Sequence, residues 1–269
     1  FGGYLTDRNT VNLSERMKVT VCLNPVHSAT GPLGVVLGYD LFAHMLNTNP
    51  DMSIYEFEEK PARPKSTNAS MGIYVFNWQV LKKALTEDEE DPKSSNDFGK
   101  NIIPKMLDDQ QRMFAYDFEG YWKDVGTIES LWEANMDLLT LPMPIDLYDA
   151  KWRIYGRNPG LAPHFIAEGA SVRNSLITEG CEVYGHVDHS VIFSGVTIRE
   201  GATVKDSVVM PGAVIERGAQ VQRAIVSEDA VIGAGATVGE ATGNIAVVGT
   251  GVHLAAGGEV KAGEQYAGF

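Results

Sequence analysis

A repeat of 17 residues in the last third of the chain constrains its fold more than any other feature. β-Branched aliphatic residues recur there at intervals of six, six and five, and three successive rounds keep the same phase. A glycine followed by an alanine shares the period, first at Gly201 and Ala202. The nine aliphatic positions are Ile192, Ile198, Val204, Val209, Ile215, Val221, Val226, Ile232 and Val238. A pattern this regular indicates a repeating structure in which every round buries the same positions.

The repeat predicts a coil of three short strands, each with one aliphatic residue pointing inward and a small residue or glycine at the corner. Successive coils then stack in parallel and form hydrogen bonds along the axis of the stack. This pattern is typical of the left-handed parallel β-helix built from hexapeptide repeats. Looser turns of the same kind precede the regular rounds, at 166–172 and 177–183.

The earlier part of the chain has a different organisation. Strand-like apolar runs occupy 52–57 and 73–78, and helical patterns occupy 78–85, 101–107 and 128–139. Strands that alternate with helices in this way indicate an α/β domain.

These patterns divide the chain into an α/β domain over 1–145, a linker over 146–162 and the β-helix over 163–269. The α/β domain contains an acidic run at 87–91. We interpret this run as a solvated loop, because five adjacent flexible acids do not satisfy the geometry of a metal site.

Composition narrows the classes of function. The 22 basic residues are outnumbered by 35 acidic ones, giving a net charge of −13, which argues against a general nucleic-acid binder. Cys22 and Cys181 are too few for a disulfide framework, so we expect a reducing, cytoplasmic setting. No apolar run approaches the roughly 18 residues of a transmembrane helix, so we expect no membrane partner.

Three short segments carry side chains suited to a phosphorylated sugar and a metal ion. Lys60 can neutralise a phosphate while the adjacent Glu59 accepts hydrogen bonds from hydroxyl groups. Gly72, two residues after Ser70, stands where glycine often marks a close approach of backbone to ligand. Asp124 precedes a predicted helix, and Mg²⁺ usually takes only one or two oxygen ligands from protein. Each segment alone also fits a structural role: a surface ion pair, a bulge and a helix N-cap, respectively.

A fourth segment, Asp97-Phe98-Gly99, matches a tripeptide of protein kinases. Neither a glycine-rich loop nor a His-Arg-Asp segment accompanies it in the sequence, so a kinase is excluded.

Taken together, the segments resemble the bacterial ADP-glucose pyrophosphorylases (glucose-1-phosphate adenylyltransferases) over roughly residues 47–260. The stretches that recur in that family in the same order are IYEFEEKP, ASMGIYVFN, SSNDFGKNIIP, FEGYWKDVGTIESLWEANMDLL and WRIYGRNPGLAPHFI. The resemblance implies a Rossmann-like nucleotidyltransferase domain followed by a left-handed β-helix. It also implies dependence on Mg²⁺, a homotetramer and allosteric control by metabolite effectors.

The resemblance also implies roles for individual residues. Lys60 would hold the phosphate of glucose 1-phosphate and Glu59 its sugar, with Ser70 as a further sugar contact and Gly72 allowing the backbone to come close. Asp124 corresponds to the second of two aspartates that bind the catalytic metal. In the implied reaction the sugar-phosphate oxygen attacks the α-phosphorus of ATP and pyrophosphate leaves. Such a displacement depends on positioning and charge neutralisation, so Lys60 and Asp124 are the expected catalytic residues.

Residues 1–46 depart from the family. We find no counterpart there of the glycine-rich, arginine-containing loop that binds the nucleotide, or of the first metal aspartate. We therefore expect either an incomplete chain or a non-catalytic regulatory subunit that binds a sugar phosphate or effector beside a complete partner. The retention of Lys60 together with Asp124 favours the incomplete enzyme.

A third alternative is an acyltransferase of the hexapeptide type, which would need a catalytic histidine in the repeat. The candidates are His186, His189 and His253, but the extruded loop of those enzymes is missing from the repeat. That interpretation also leaves the first 160 residues without a role.

Overall fold

The structure is a computed structural model that describes residues 44–59, 61, 63, 65–151, 154 and 159–268. Its contacts divide the chain into two compact units, Phe1–Asp124 and Val125–Phe269. In its described part, the first unit is a hairpin with short helices, and the second is a long solenoid with one helix.

The first unit begins with an antiparallel hairpin of β1 (His44–Thr48) and β2 (Ile54–Glu59). Asp51 stabilises the turn between the strands, because its Oδ1 accepts hydrogen bonds from the backbone N–H of Ser53 at 3.0 Å and from its hydroxyl at 2.6 Å. These bonds favour the carboxylate and lower the pKa of Asp51. Phe57 is the buried residue of β2, so this side chain faces the core of the unit.

Three helical segments follow the hairpin: α1 (Trp78–Glu89), a π-helical turn (Phe98–Ile102) and α2 (Ile103–Asp108), which continues directly from that turn. Asn77 caps α1, since its side chain accepts a hydrogen bond from the backbone N–H of Gln79 at 3.0 Å. The two helices predicted in this region are confirmed.

The strand predicted at 73–78 is wrong. Residues 71–77 belong to no strand. Instead, the rings of Tyr74 and Phe76 each lie about 6 Å from that of Phe98, and Val75 between them is exposed. A short apolar run has the same sequence pattern whether it pairs in a sheet or packs its rings against a helix. The pattern alone therefore could not distinguish a strand from this arrangement.

The acidic run at 87–91 is only partly a loop, which corrects the expectation of a solvated one. Helix α1 extends through Glu89, and Asp88 is buried, accepting a hydrogen bond from the Ser94 hydroxyl at 2.7 Å. Glu87 lies beside Lys105, with 3.0 Å between Oε2 and Nζ. The helix therefore includes the first three residues of the acidic run and ends before the last two.

Within its described residues, the second unit contains α3 (Ile128–Asp137) and then eighteen short strands. In chain order they are β3 (Phe165–Ile166), β4 (Ser171–Arg173), β5 (Leu176–Ile177), β6 (Glu182–Val183), β7 (His186–Asp188), β8 (Val191–Ile192), β9 (Thr197–Ile198), β10 (Thr203–Lys205), β11 (Val208–Val209), β12 (Val214–Ile215), β13 (Gln220–Gln222), β14 (Ala224–Val226), β15 (Val231–Ile232), β16 (Thr237–Val238), β17 (Ala246–Val248), β18 (His253–Leu254), β19 (Glu259–Val260) and β20 (Gln265–Tyr266).

The strands form three parallel six-stranded sheets, to which each coil contributes one strand in turn. Sheet A contains β3, β6, β9, β12, β15 and β18; sheet B contains β4, β7, β10, β13, β16 and β19; sheet C contains β5, β8, β11, β14, β17 and β20. This parallel β-solenoid of about six turns is the three-sided coil that the hexapeptide repeat predicts for a left-handed β-helix.

The nine aliphatic residues of the 17-residue repeat fill the interior of the solenoid, and none is more than 1% exposed. Ile215, for example, pairs in register with Ile198 on one side and Ile232 on the other. The repeated glycines lie at the corners with positive φ, as Gly218 does at 68°. A residue with a side chain adopts that backbone conformation only at an energetic cost. The 17-residue period therefore determines both which residues are buried and where the chain turns a corner.

A second set of corners, where sheet B leads into sheet C, is tied together by serines. The Ser175 hydroxyl accepts a hydrogen bond from the backbone N–H of Ser190, and the Ser190 hydroxyl accepts one from Ser207, both at 3.1 Å. The Ser207 hydroxyl continues the series to the N–H of Ala224 at 3.2 Å. Ser190 and Ser207 are fully buried, and these bonds satisfy polar groups that would otherwise destabilise the stack.

Sheet C is apolar on its outer face as well as its inner one. Val191, Val208 and Ile225 face outward and are at most 4% exposed, because α3 lies over them and buries Met136 against them. Sheet B, by contrast, carries polar residues at its outward positions, such as Gln220. Helix α3 therefore covers an outer surface of sheet C that is apolar at these strands.

Trp132 fixes the position of α3 on this surface. Its Nε1–H donates a hydrogen bond to the backbone carbonyl of Asp206 at 2.7 Å. The guanidinium of Arg223 lies 4.6 Å from the centre of the Trp132 ring and donates to the Gly243 carbonyl at 2.8 Å. The helix predicted at 128–139 is thus confirmed, and it belongs to the compact unit that contains the solenoid. The domain boundaries at 145 and 163 stay predictions.

Candidate functional site

The hairpin of the first unit places Glu59, the predicted sugar-binding carboxylate, at the last position of β2. Its side chain is only 12% exposed, and its Oε2 lies 3.9 Å from the Nζ of Lys100. Lys60, the predicted phosphate-binding cation, lies outside the described residues. Lys60 follows Glu59 in the sequence, and its role stays a prediction.

The second predicted segment forms a small hydrogen-bonded turn. The Ser70 hydroxyl donates to the Tyr74 hydroxyl at 3.1 Å and accepts a bond from the backbone N–H of Gly72 at 3.2 Å. Gly72 has a φ of 70°, the left-handed conformation that glycine adopts without strain. Burial raises the pKa of the Tyr74 hydroxyl, so this group stays protonated at neutral pH. The turn presents a hydroxyl pair that can bond to a polyhydroxyl ligand.

The π-helical turn joins these two segments. The ring of Phe98 stacks on that of Tyr74, with 6.0 Å between centroids and 16° between planes. Two residues on, Lys100 pairs with Glu59 across 3.9 Å. Asp97 holds the turn in place, since its Oδ1 accepts a hydrogen bond from the backbone N–H of Lys100 at 2.9 Å. The π-helical turn therefore contacts both Glu59 and the Ser70 turn. We call these three segments together the wall.

The contribution of Asp97, Phe98 and Lys100 to this wall was not predicted from the sequence. The tripeptide Asp97-Phe98-Gly99 was interpreted only as a match to a kinase motif, and none of its residues was assigned to the site. A usable signal was present, because an aspartate able to cap a helical turn precedes an aromatic residue and a cation. Nothing in the pattern, however, shows which surface those side chains meet.

Asp124, the predicted metal ligand, is half-buried at the end of the first unit. It is not the N-cap of the following helix, because that position belongs to Thr127, which forms a capping box with Ser130. Among the described residues, no group of three or more His, Cys, Asp or Glu side chains is arranged to hold a metal ion. A single carboxylate fits Mg²⁺, which keeps most of its ligands from water and substrate. The metal role of Asp124 stays a prediction.

Two histidines of the solenoid, His186 and His189, take part in surface pairs. The Nδ1 of His186 lies 2.8 Å from the Ser171 hydroxyl, and that of His189 lies 2.8 Å from Asp206 Oδ1. Both pairs join neighbouring coils, which is a structural use of these residues. No helix within the described ranges combines the length and apolar character that crossing a bilayer requires.

Two family models match the chain. The family described as Nucleotidyl transferase matches residues 8–140, and the one described as GlmU-like, C-terminal hexapeptide matches residues 164–254. The first match begins inside the segment 1–46, where the sequence shows no order shared with the pyrophosphorylases. The two matches follow one another along the chain, a nucleotidyl transferase region and then a hexapeptide region, and the solenoid lies in the second of them.

The chain is also similar to glucose-1-phosphate adenylyltransferases. Over 162 residues it is 63% identical to the protein of that name from Clostridium perfringens (strain SM101 / Type A), 59% to that from Desulforamulus reducens and 57% to that from Fusobacterium nucleatum. Each alignment covers 60% of this chain and 41–42% of the relative. The resemblance stated from the motifs is confirmed, and the chain spans about two fifths of the length of the relatives it matches.

Proposed function

We propose that this chain carries the sugar-phosphate site and the β-helix of a glucose-1-phosphate adenylyltransferase. The reaction joins ATP and glucose 1-phosphate to form ADP-glucose and pyrophosphate. The observation that carries the proposal is the wall formed by the π-helical turn, which unites Glu59 and the Ser70 turn, the two predicted sugar-binding segments. The similarity to adenylyltransferases of the same printed name supports the substrate pair.

The groups at this wall suit a sugar phosphate. Glu59 is an acceptor for sugar hydroxyls, and the paired hydroxyls of Ser70 and Tyr74 can both donate and accept. Gly72 leaves the backbone free of a side chain where the sugar approaches. Lys60 would neutralise the phosphate, because a lysine ammonium is a compact charge with three donors.

Asp124 would hold Mg²⁺, which supplies positive charge to the triphosphate when it is bound. The residues of this chain then have two tasks, positioning the attacking phosphate oxygen and neutralising charge. We also propose a homotetramer, metabolite effectors and a cytoplasmic location, on the strength of the family resemblance and the two cysteines. No observation on the described residues favours the non-catalytic regulatory subunit.

The test separates the two predicted catalytic residues in the complete protein that contains this chain. A charge-assisted contact is worth about 1.5–3 kcal/mol, or roughly ten- to a hundredfold in affinity. Lys60→Ala should therefore raise the KM for glucose 1-phosphate at least about tenfold and leave the KM for ATP nearly unchanged. Asp124→Asn should instead lower kcat by orders of magnitude with little effect on sugar-phosphate affinity, because the metal acts on the triphosphate in the transition state.

Lys65→Ala provides the matched control, since Lys65 is an exposed lysine of the same segment that pairs with Glu56. Its kinetic constants should match those of the wild type. If Lys60→Ala weakened ATP and glucose 1-phosphate equally, Lys60 would be a structural ion-pair residue and the proposed sugar-phosphate site would be wrong.

A further inference from the structure

Lys100 is a cation at the proposed site for which neither the family matches nor the motif assignments give a role. Its Nζ lies 3.9 Å from Glu59 Oε2, and its side chain is 56% exposed, whereas that of Glu59 is only 12% exposed. The ammonium thus approaches a mostly buried carboxylate from the solvent side. A buried carboxylate is costly unless a cation or hydrogen-bond donors compensate its charge.

The position of Lys100 is fixed from three directions. Asp97 caps the turn through the backbone N–H of Lys100, and Phe98 packs on Tyr74. The turn runs directly into α2, whose first residue, Ile103, is buried. A π-helical turn is uncommon and frequently marks a functional site, because its extra residue changes the direction of the side chains that follow.

We propose that Lys100 is a positioning residue for the sugar site, which orients the Glu59 carboxylate to accept hydrogen bonds from sugar hydroxyls. This inference rests on the proposed function, because it assigns Lys100 to the same sugar-phosphate site. Lys100 acts through Glu59 and does not itself bind the phosphate. Its removal therefore weakens the binding of the sugar and leaves the nucleotide site unaffected.

A second lysine–glutamate pair shows what an ordinary surface pair looks like in this unit. Lys105 Nζ lies 3.0 Å from Glu87 Oε2, closer than in the Lys100 pair, but the Glu87 side chain is 39% exposed. Water solvates that carboxylate with or without its partner, so the pair contributes little. Lys105 is therefore the matched control: it also pairs with a glutamate and lies five residues along the same helical stretch.

The experiment is a double-mutant cycle in the complete protein, with initial rates measured against glucose 1-phosphate and ATP separately. Lys100→Met should raise the KM for glucose 1-phosphate about three- to tenfold and leave kcat and the KM for ATP within about twofold. Lys100→Arg, which keeps the charge, should recover most of the loss. Lys105→Met should behave as the wild type.

The decisive comparison is made in a Glu59→Gln background. Because Lys100 acts through the Glu59 carboxylate, adding Lys100→Met to Glu59→Gln should produce no further rise in KM. Additive effects would overturn the proposal and make Lys100 an independent phosphate contact. An unchanged KM in Lys100→Met alone, with a far-ultraviolet circular dichroism spectrum like the wild type, would overturn it as well.

Different results would contradict the proposed function and the role of Lys100. If the wild-type protein released no pyrophosphate from ATP and glucose 1-phosphate, the proposed function would be wrong. If the wild type were active and Lys100→Met equalled Lys105→Met, only the role of Lys100 would be wrong.

Discussion

The interior of the solenoid supports a quantitative prediction at Ile215. This residue is fully buried and stacks between Ile198 and Ile232 of the neighbouring coils. Ile215→Ala removes three carbon atoms, a transfer term of about 2.4 kcal/mol, and the cavity left behind adds to that loss. We expect a loss of about 3–4 kcal/mol in the free energy of unfolding, a large share of the stability of an ordinary domain.

The assay is urea unfolding followed by far-ultraviolet circular dichroism, with Ile215→Val as the graded variant and Gln220→Ala as the control. Ile215→Val should cost about 0.5–1.5 kcal/mol. Gln220 is exposed on an outward position of sheet B, so its replacement should change stability by no more than about 0.5 kcal/mol. The slope of unfolding against urea should stay the same, since the surface exposed on unfolding is similar. If Ile215→Ala cost no more than Gln220→Ala, the inward assignment of the repeat would be refuted.

Two further predictions concern the outer structure of the solenoid. Trp132→Phe removes the bond to the Asp206 carbonyl and weakens the contact with Arg223, so it should lower the free energy of unfolding by about 1–2 kcal/mol; an unchanged urea midpoint would show that α3 is held by its apolar contacts alone. Gly239→Ala should destabilise more than Gly218→Ala, because an added Cβ would lie 2.0 Å from the Gln222 carbonyl oxygen at Gly239 and meets nothing within 4 Å at Gly218. Both glycines have positive φ, which costs about 1–2 kcal/mol for alanine, so equal melting temperatures for the two variants would contradict the crowding at Gly239.

The solenoid was predictable because its information is local and repeated. Each inward residue of the repeat lies at a fixed interval from the next, and each of the three rounds has isoleucine or valine at these positions. The docking of α3 was not predictable, since Trp132 and Asp206 are 74 residues apart. The outward-facing Val191 and Val208 indicate that sheet C is covered, but they do not identify α3 as the covering element.

The site shows the same division. Glu59, Lys60, Ser70, Gly72 and Asp124 could be predicted as site residues because short motifs carry them, and their roles stay predictions. The wall that joins Glu59 to Ser70 depends on Lys100 and on rings that meet across 24 residues of sequence, from Tyr74 to Phe98. Nor could an apolar pattern show that residues 73–78 form no strand, since rings that pack on a helical turn produce the same pattern.

We propose that this chain belongs to an enzyme that transfers an adenylyl group to glucose 1-phosphate. The most direct measurement incubates the complete protein with Mg²⁺ and either ATP with glucose 1-phosphate or UTP with an N-acetylated hexosamine 1-phosphate. Pyrophosphate and the nucleotide sugar are then quantified together. We predict equal amounts of pyrophosphate and ADP-glucose from the first pair and no product above background from the second. Absence of ADP-glucose, or a faster reaction with the second pair, would contradict the proposed adenylyl transfer to glucose 1-phosphate.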